Sequence, residues 1–329
     1  MSLPINIREA RRDDVEGLAE LYALSGWRLG REHAFKLIEF SMSSDYSKVL
    51  VADLSGKVIS KVTLDTVFPP YAEIVNVLVH PNYREMGVGS GLVKECIKRA
   101  TNAGHNIIYL MCDPLNRRIH KFYARLGFLP GILGNPSDPR GDMWLYYFGR
   151  GSFVRNFLEE HPFAEFRVSR GRVPFHGQLL YSMKWIDPIS DDELEVFIRG
   201  QPGQPERGGT MPRIGGVRLK LDELSFDCWV IEGRSGEFEL NMLNNGSNGL
   251  SVSLNPISRR GLRVSVHPPE RTIRPGESVS IKGSLIVTGD FDVQLRYLTF
   301  PTVISSVILK FSRGIEAVVS VGFNLLEKH

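Results

Sequence analysis

The chain has 329 residues, 42% apolar and 23% charged, with a formal net charge of +3. That length suggests about two domains, each with a proper core, and 40 basic against 37 acidic side chains argue against nucleic acid as the main partner. No run reaches the roughly eighteen apolar residues of a membrane span, and Met1-Ser2-Leu3-Pro4 leads into charged residues without a secretory signal, so no membrane partner and a cytoplasmic location are expected.

The three cysteines, Cys96, Cys112 and Cys228, are scattered without metal spacing. They read as small core residues in a reducing compartment, and no metal is expected.

In chain order, residues 5–9 read as a first strand. Asp13 is placed to cap a helix running to about residue 25, with Val15, Leu18, Ala19, Leu21 and Tyr22 as its apolar stripe. Residues 31–42 form a second helical stretch. Residues 49–54 and 58–67, joined by Ser55-Gly56-Lys57, read as a hairpin. Phe68-Pro69-Pro70 breaks the pattern before residues 72–79, an almost unbroken apolar and β-branched strand. His80-Pro81-Asn82-Tyr83 and Arg84-Glu85-Met86-Gly87-Val88-Gly89 follow. Leu92, Val93, Cys96, Ile97 and Ala100 then recur at helical spacing. Residues 106–112 are a second buried strand, punctuated by Asp113-Pro114. Ile119, Phe122, Tyr123 and Leu126 mark an amphipathic helix over 116–126, closed by Gly127 in the position of a C-terminal cap. Residues 128–133 and 143–148 are two more strands around a loop rich in Pro, Gly and Asp.

The turn before residue 90 has a physical use. Gly87 and Gly89 lack side chains, so the backbone can approach a ligand closely. The amides of Glu85, Met86, Gly87, Val88, Gly89 and Ser90 open a helix, where unpaired N–H groups and the dipole favour an anion. That describes a pyrophosphate cradle. It is not a Walker A loop, because Ser90-Gly91-Leu92 stand where Gly-Lys-Ser/Thr is needed. It is not a dinucleotide fingerprint either, because Leu92 occupies the place of the third glycine.

The run Arg84-x-x-Gly87-x-Gly89 resembles the R/Q-x-x-G-x-G/A turn of the GNAT superfamily, the acyl-CoA-dependent N-acyltransferases. The resemblance continues in register through Asn116, Ile119 (in a place commonly held by Ala), Phe122, Tyr123, Gly127 and Phe128. It implies an α/β GNAT fold over residues 1–150, with a mixed, splayed central sheet flanked by helices. It also implies acetyl-CoA as the acyl-donor substrate and direct transfer to a primary amine.

The same resemblance assigns roles. The backbone of Val77, Leu78 and Val79 would pair with the pantetheine arm, and the N–H of Leu78 would meet the carbonyl oxygen. Arg84 would reach a phosphate or remain a solvated turn residue. Asn116 would bond the pantetheine arm, cap its helix, or do both. Tyr123 is the candidate general acid, a phenol with a pKa near ~10 facing a thiolate near ~8.5. Glu73 resembles the catalytic glutamate of the histone-acetyltransferase branch, and the alternative place on the second strand holds Met111. His80, His105 and His120 are rivals for the base but read as solvated side chains.

Residues 151–214 read as a connecting region with a helix at 153–160, strand-like runs over 166–185, one or two helical turns at 191–198 and an exposed linker at 201–209. From 215 to 329 short alternating runs recur between turns such as Asn244-Asn245-Gly246 and Pro275-Gly276. They suggest an all-β, immunoglobulin-like sandwich with Trp229 as its central core aromatic. That part would select or present the acceptor, a protein or a small amine, or make a homodimer. A non-catalytic acyl-CoA-binding regulator is the rival reading. A carbohydrate module acting with an amino-sugar acceptor is a weaker one.

Overall fold

The computed structural model describes residues 4–26, 29–66, 68–133, 143–199, 212–289 and 302–324. The expected loop at 134–141 and linker at 201–209 lie outside them. Contacts divide the chain into two compact units. One comprises Met1–Met111, Lys121–Leu129 and Tyr146–Arg150, the other Cys112–His120, Pro130–Leu145 and Gly151–His329.

The N-terminal elements follow the expected order: β1 (Ile5–Glu9), α1 (Val15–Leu24), α2 (Arg31–Ser43), β2 (Ser47–Leu54), β3 (Lys57–Asp65), β4 (Tyr71–Val79), α3 (Val88–Asn102), β5 (Ile107–Cys112), α4 (Arg117–Ala124), β6 (Leu129–Leu133) and β7 (Met143–Phe148). The sheet order is β1-β2-β3-β4-β5-β7-β6. Leu18, Leu21, Tyr22, Leu37 and Ile38 of α1 and α2 pack on Val49, Val51, Val58 and Leu78 of the sheet. The Cβ that Gly17 lacks would lie 2.9 Å from Val58, so that glycine lets α1 settle closely on β3.

Asp13 does not cap α1. A single 3-10 turn at Arg12–Asp14 precedes the helix, and it is Asp14 whose carboxylate accepts from the Arg11 amide at 2.7 Å.

The C-terminal elements are α5 (Phe153–Glu160), β8 (Glu165–Val168), β9 (Val173–Phe175), β10 (Gln178–Ile186), β11 (Glu193–Arg199), β12 (Arg213–Leu221), β13 (Leu224–Glu232), β14 (Glu237–Asn244), β15 (Leu250–Pro256), β16 (Leu262–His267), β17 (Glu270–Ile273), β18 (Ser278–Val287), β19 (Thr302–Phe311) and β20 (Glu316–Asn324). They form a nine-stranded sheet, β16-β18-β14-β13-β12-β11-β10-β8 with β9 on β10, and a four-stranded one, β17-β15-β19-β20.

Three expectations change here. The 191–198 stretch is strand β11, paired on both sides by β10 and β12, with Leu194, Val196, Phe197 and Ile198 all buried. Glu193-Leu194-Glu195-Val196-Phe197-Ile198 is a run too short for periodicity to separate a strand from a helical turn. Because β11 pairs with β12, the boundary expected at 214/215 falls inside one sheet.

Trp229 is buried, but on the face covered by the β9–β10 hairpin. There its ring stacks on His176 at 3.6 Å and joins Phe175, Leu180 and Phe197. Side chains alternate along a strand, so the opposite face of β13 presents Phe226, stacked on Phe311 of β19 at 4.0 Å. A β-rich C-terminal region is therefore present; the likeness to an immunoglobulin sandwich is not carried by Trp229.

Candidate active site

β4 is bent by a bulge. Lys61 and Thr63 of β3 oppose Leu78 and Val75 of β4, so β4 carries one extra residue in that interval, and Asn76 takes a left-handed φ of 55°. β4 pairs in parallel with β5 only through Tyr71–Ile107, Ala72–Ile108 and Glu73–Tyr109. Beyond that rung the ladder stops, as expected for a splayed sheet. It leaves the main chain of residues 74–79 on that edge outside the β5 ladder.

The register decides which amides face the opening. The His80 amide donates to Ile59 of β3 at 2.9 Å, and the Leu78 carbonyl accepts from Ser60 Oγ at 2.6 Å. In an extended strand a residue's N–H and C=O point to the same edge, and successive residues alternate. Leu78 therefore turns its main chain to β3. The expectation that its N–H meets the substrate carbonyl is corrected: Val77 and Val79 are the residues directed to the open edge. Arg84 Nε reaches the Val79 carbonyl at 3.2 Å, which ties this exposed arginine to the end of β4.

The glycine turn opens α3. Gly87, at the N-cap, has φ 80°, and Glu85 has φ 67°. The first helical bond runs from the Gly91 amide to the Gly87 carbonyl at 2.9 Å, so the amides of Val88, Gly89 and Ser90 precede it. Glu85, Met86 and Gly87 are exposed, whereas Val88 is buried. The two glycines have different reasons. Gly87 needs the left-handed backbone and has open space around its missing Cβ. A Cβ on Gly89 would lie 3.2 Å from Val79 and 3.7 Å from Phe122, so Gly89 serves packing of the helix against the site's own walls.

Helix α4 is capped at both ends by the residues singled out. Asn116 Oδ1 accepts from the Ile119 amide at 3.2 Å, an N-cap. At the other end the Gly127 amide donates to Ala124 and the Phe128 amide to Tyr123, with Gly127 at φ 89°: the paired bonds of a Schellman motif. Tyr123 is buried at 8% exposure and packs edge-on against Phe122 and Phe128. Met111 is exposed on β5.

Glu73 lies at the last paired rung. Its Oε2 accepts from Tyr109 Oη at 3.0 Å, and Asp65 stands opposite on β3. Burial pushes the Glu73 carboxyl up to about 8, and the charge of Asp65 adds to this against the pull of the Tyr109 hydrogen bond. Sequence reasoning found Glu73 but neither Asp65 nor Tyr109, because only strand register brings the three together.

Two of the three histidines differ from expectation. His80 and His105 are buried, at 7% exposure each. His80 Nδ1 accepts from the Asn82 amide at 3.2 Å, and the His105 ring bonds the Tyr71 carbonyl at 2.9 Å. His120 Nε2 contacts the Asp113 carbonyl at 3.0 Å. Each has a local structural partner. All three cysteines are buried thiols outside any disulfide. Among the described residues there is no cluster of metal-ligating side chains, and no helix is long and apolar enough to cross a membrane. The C-terminal unit holds a separate cavity of about 510 Å³ walled by Phe153, Phe157, Leu194 and Leu219.

Residues 14–128 match the model of the acetyltransferase (GNAT) family, and that segment carries a GNAT acetyltransferase domain. Two archaeal proteins are similar over the same region. An uncharacterized N-acetyltransferase of Methanocaldococcus jannaschii is 27% identical over 135 residues, covering 37% of this chain and 59% of that protein. The chain thus spans about three fifths of that relative's length. An uncharacterized N-acetyltransferase of Archaeoglobus fulgidus is 26% identical over 132 residues, covering 36% of this chain and 90% of that protein. Among solved structures, PaiA N-acetyltransferase from Thermoplasma acidophilum, in complex with coenzyme A, is 20% identical, covers 44% of this chain and 98% of its own, and has a TM-score of 0.37.

Proposed function

We propose that the protein transfers an acetyl group from acetyl-CoA directly to a primary amine. The observation that carries this reading is the three-rung β4–β5 ladder. It stops at Glu73 and Tyr109 and leaves Val77 and Val79 outside the ladder, with Arg84 on the Val79 carbonyl. A pantetheine arm added there as a strand would bond those two residues, and the amide directed to the thioester oxygen would stabilise the oxyanion. The amides of Glu85, Met86, Gly87, Val88, Gly89 and Ser90, with Arg84, would take the pyrophosphate.

Glu73 would accept a proton from the acceptor ammonium, helped by the upward shift of its pKa towards neutrality. Attack of the amine on the thioester carbonyl breaks the C–S bond, and Tyr123 would protonate the departing thiolate. Asn116 would contribute to the pantetheine arm beyond its capping role. The acceptor is a protein lysine, a protein N-terminus or a small amine. The β-rich region, read as an immunoglobulin-like module, would present it.

The test is release of free thiol from acetyl-CoA with a panel of amines and peptides, repeated with Tyr123→Phe and Glu73→Gln. Turnover lost in both variants, with coenzyme A still bound, supports the assignment. Tight coenzyme A binding with no turnover on any acceptor would replace it with a non-catalytic acyl-CoA-binding regulator.

A further inference from the structure

Four polar side chains form one row across four strands. Ser47 of β2 is opposite Asp65 of β3, Asp65 is opposite Glu73 of β4, and Glu73 is opposite Tyr109 of β5. Directly opposed residues project from the same face of a sheet, so the row is continuous. Its two ends are hydrogen-bonded: Ser47 Oγ donates to Asp65 Oδ1, and Tyr109 Oη donates to Glu73 Oε2 at 3.0 Å. Ser47, Asp65 and Tyr109 are buried, and Glu73 is half-buried. The row coincides with the last β4–β5 rung, where the sheet begins to open. Among the described residues Glu73 Oε1 has no hydrogen-bond partner.

We propose that Asp65 and Tyr109 are positioning residues that hold Glu73 as a one-sided proton acceptor, Tyr109 anchoring Oε2 so that Oε1 receives the proton of the acceptor ammonium, and Asp65 setting how strongly that proton is held. This rests on the proposed transferase reading. In the step itself an N–H bond of the ammonium breaks, an O–H bond forms on Glu73, and the amine is left neutral with its lone pair free. Ser47 donates to Asp65 Oδ1 from β2, the strand on the far side of β3 from Glu73, and so fixes where the like charge stands. Two carboxylates facing one another at one rung cannot both ionise freely, which favours the protonated form of Glu73. The Tyr109 hydrogen bond acts in the opposite sense, favouring the charged form. Among the described residues the titratable groups that act on Glu73 are thus Asp65 from β3 and Tyr109 from β5. Tyr146 of β7 lies beyond, its ring 6.5 Å from that of Tyr109.

The two neighbours pull in opposite directions, and that supplies a test which structural damage would not imitate. The full chain labelled with carbon-13 at glutamate carboxyls is titrated by NMR, with Glu73→Gln identifying the Glu73 signal. Asp65→Asn should lower the Glu73 midpoint by a unit or more, a tenfold change in proton affinity, and Tyr109→Phe should raise it. In the thiol-release assay the rising limb of kcat/KM against pH should move the same way in each variant, with KM for acetyl-CoA unchanged. Both replacements are near-isosteric, and thermal melts verify that each folds. Midpoints that stay at the wild-type value in both variants, or that move in the same direction, overturn the proposal. The NMR titration needs no acceptor, so absence of turnover would count against the transferase reading alone.

Discussion

The amide of Phe128 donates to the carbonyl of Tyr123 at 3.1 Å, and the two rings pack edge-on 5.5 Å apart. This is the six-to-one bond of a Schellman motif with its accompanying apolar contact. The spacing Tyr-x-x-x-Gly-Phe therefore has a folding reason in addition to any chemical one. Gly127→Ala forces an alanine to φ 89° and brings its Cβ to 3.3 Å from Tyr147. A loss of about 1–2 kcal/mol in urea denaturation is expected. Tyr123→Phe keeps this main-chain cap, so coenzyme A binding should persist while turnover falls by roughly 10²-fold.

The two glycines of the turn should respond differently. Asparagine tolerates left-handed backbone, so Gly87→Asn should keep most of the affinity for coenzyme A. Gly89→Val drives a branched side chain toward Val79 and Phe122, displacing the helix N-terminus from the end of β4. Calorimetric titration with coenzyme A should show at least a roughly tenfold loss for Gly89→Val. Unchanged affinity there would remove the cradle as the anion site.

Glu73 makes stability depend on pH with a definite sign. Its folded pKa, about 8, lies above the unfolded carboxylate value of 4.5. Between those values the native state holds a proton that the unfolded chain has lost. The contribution is therefore fully present below about pH 4.5 and is lost as pH rises through 8, with a slope of at most about 1.4 kcal/mol per unit. Denaturant midpoints measured from pH 5 to 9 should fall for the wild type relative to Glu73→Gln.

In the C-terminal unit Glu232 accepts from Arg213 and forms an ion pair with Arg199 at 2.7 Å. Its Oε1 also accepts from the Gly322 amide of β20 at 2.7 Å. Burial works against the charged form of Glu232, yet the two arginines hold its pKa below the usual carboxylate value. Glu232→Ala removes the carboxylate that both guanidiniums face and should cost about 3–5 kcal/mol in chemical denaturation. A loss below 1 kcal/mol would mean that solvent, rather than Glu232, satisfies them.

Local signals carried most of the N-terminal part. Gly127, Gly87 and Asn116 announced their turns and caps because left-handed backbone and N-caps have strong residue preferences. Helical periodicity at Leu92, Val93, Cys96 and Ala100 located α3, and all four are buried. Where a neighbouring strand decides, the sequence was mute. The stretch at β11, Glu193-Leu194-Glu195-Val196-Phe197-Ile198, is too short for periodicity to separate a strand from a helical turn. Asp13 stood where Asp14 acts, since a one-residue shift of the helix start alters nothing in composition. His80 and His105 looked like surface residues, yet main-chain partners hold both inside.

The order of elements, the glycine turn before α3 and the family of residues 14–128 follow from residues close together in the chain, so local patterning was enough to reveal them. That Leu78 faces β3 while Val77 and Val79 face the opening, and that Asp65, Glu73 and Tyr109 share one row, emerges from the folded sheet alone. Those depend on strand register, which a single bulge at Asn76 shifts by one residue and so re-aims every group beyond it.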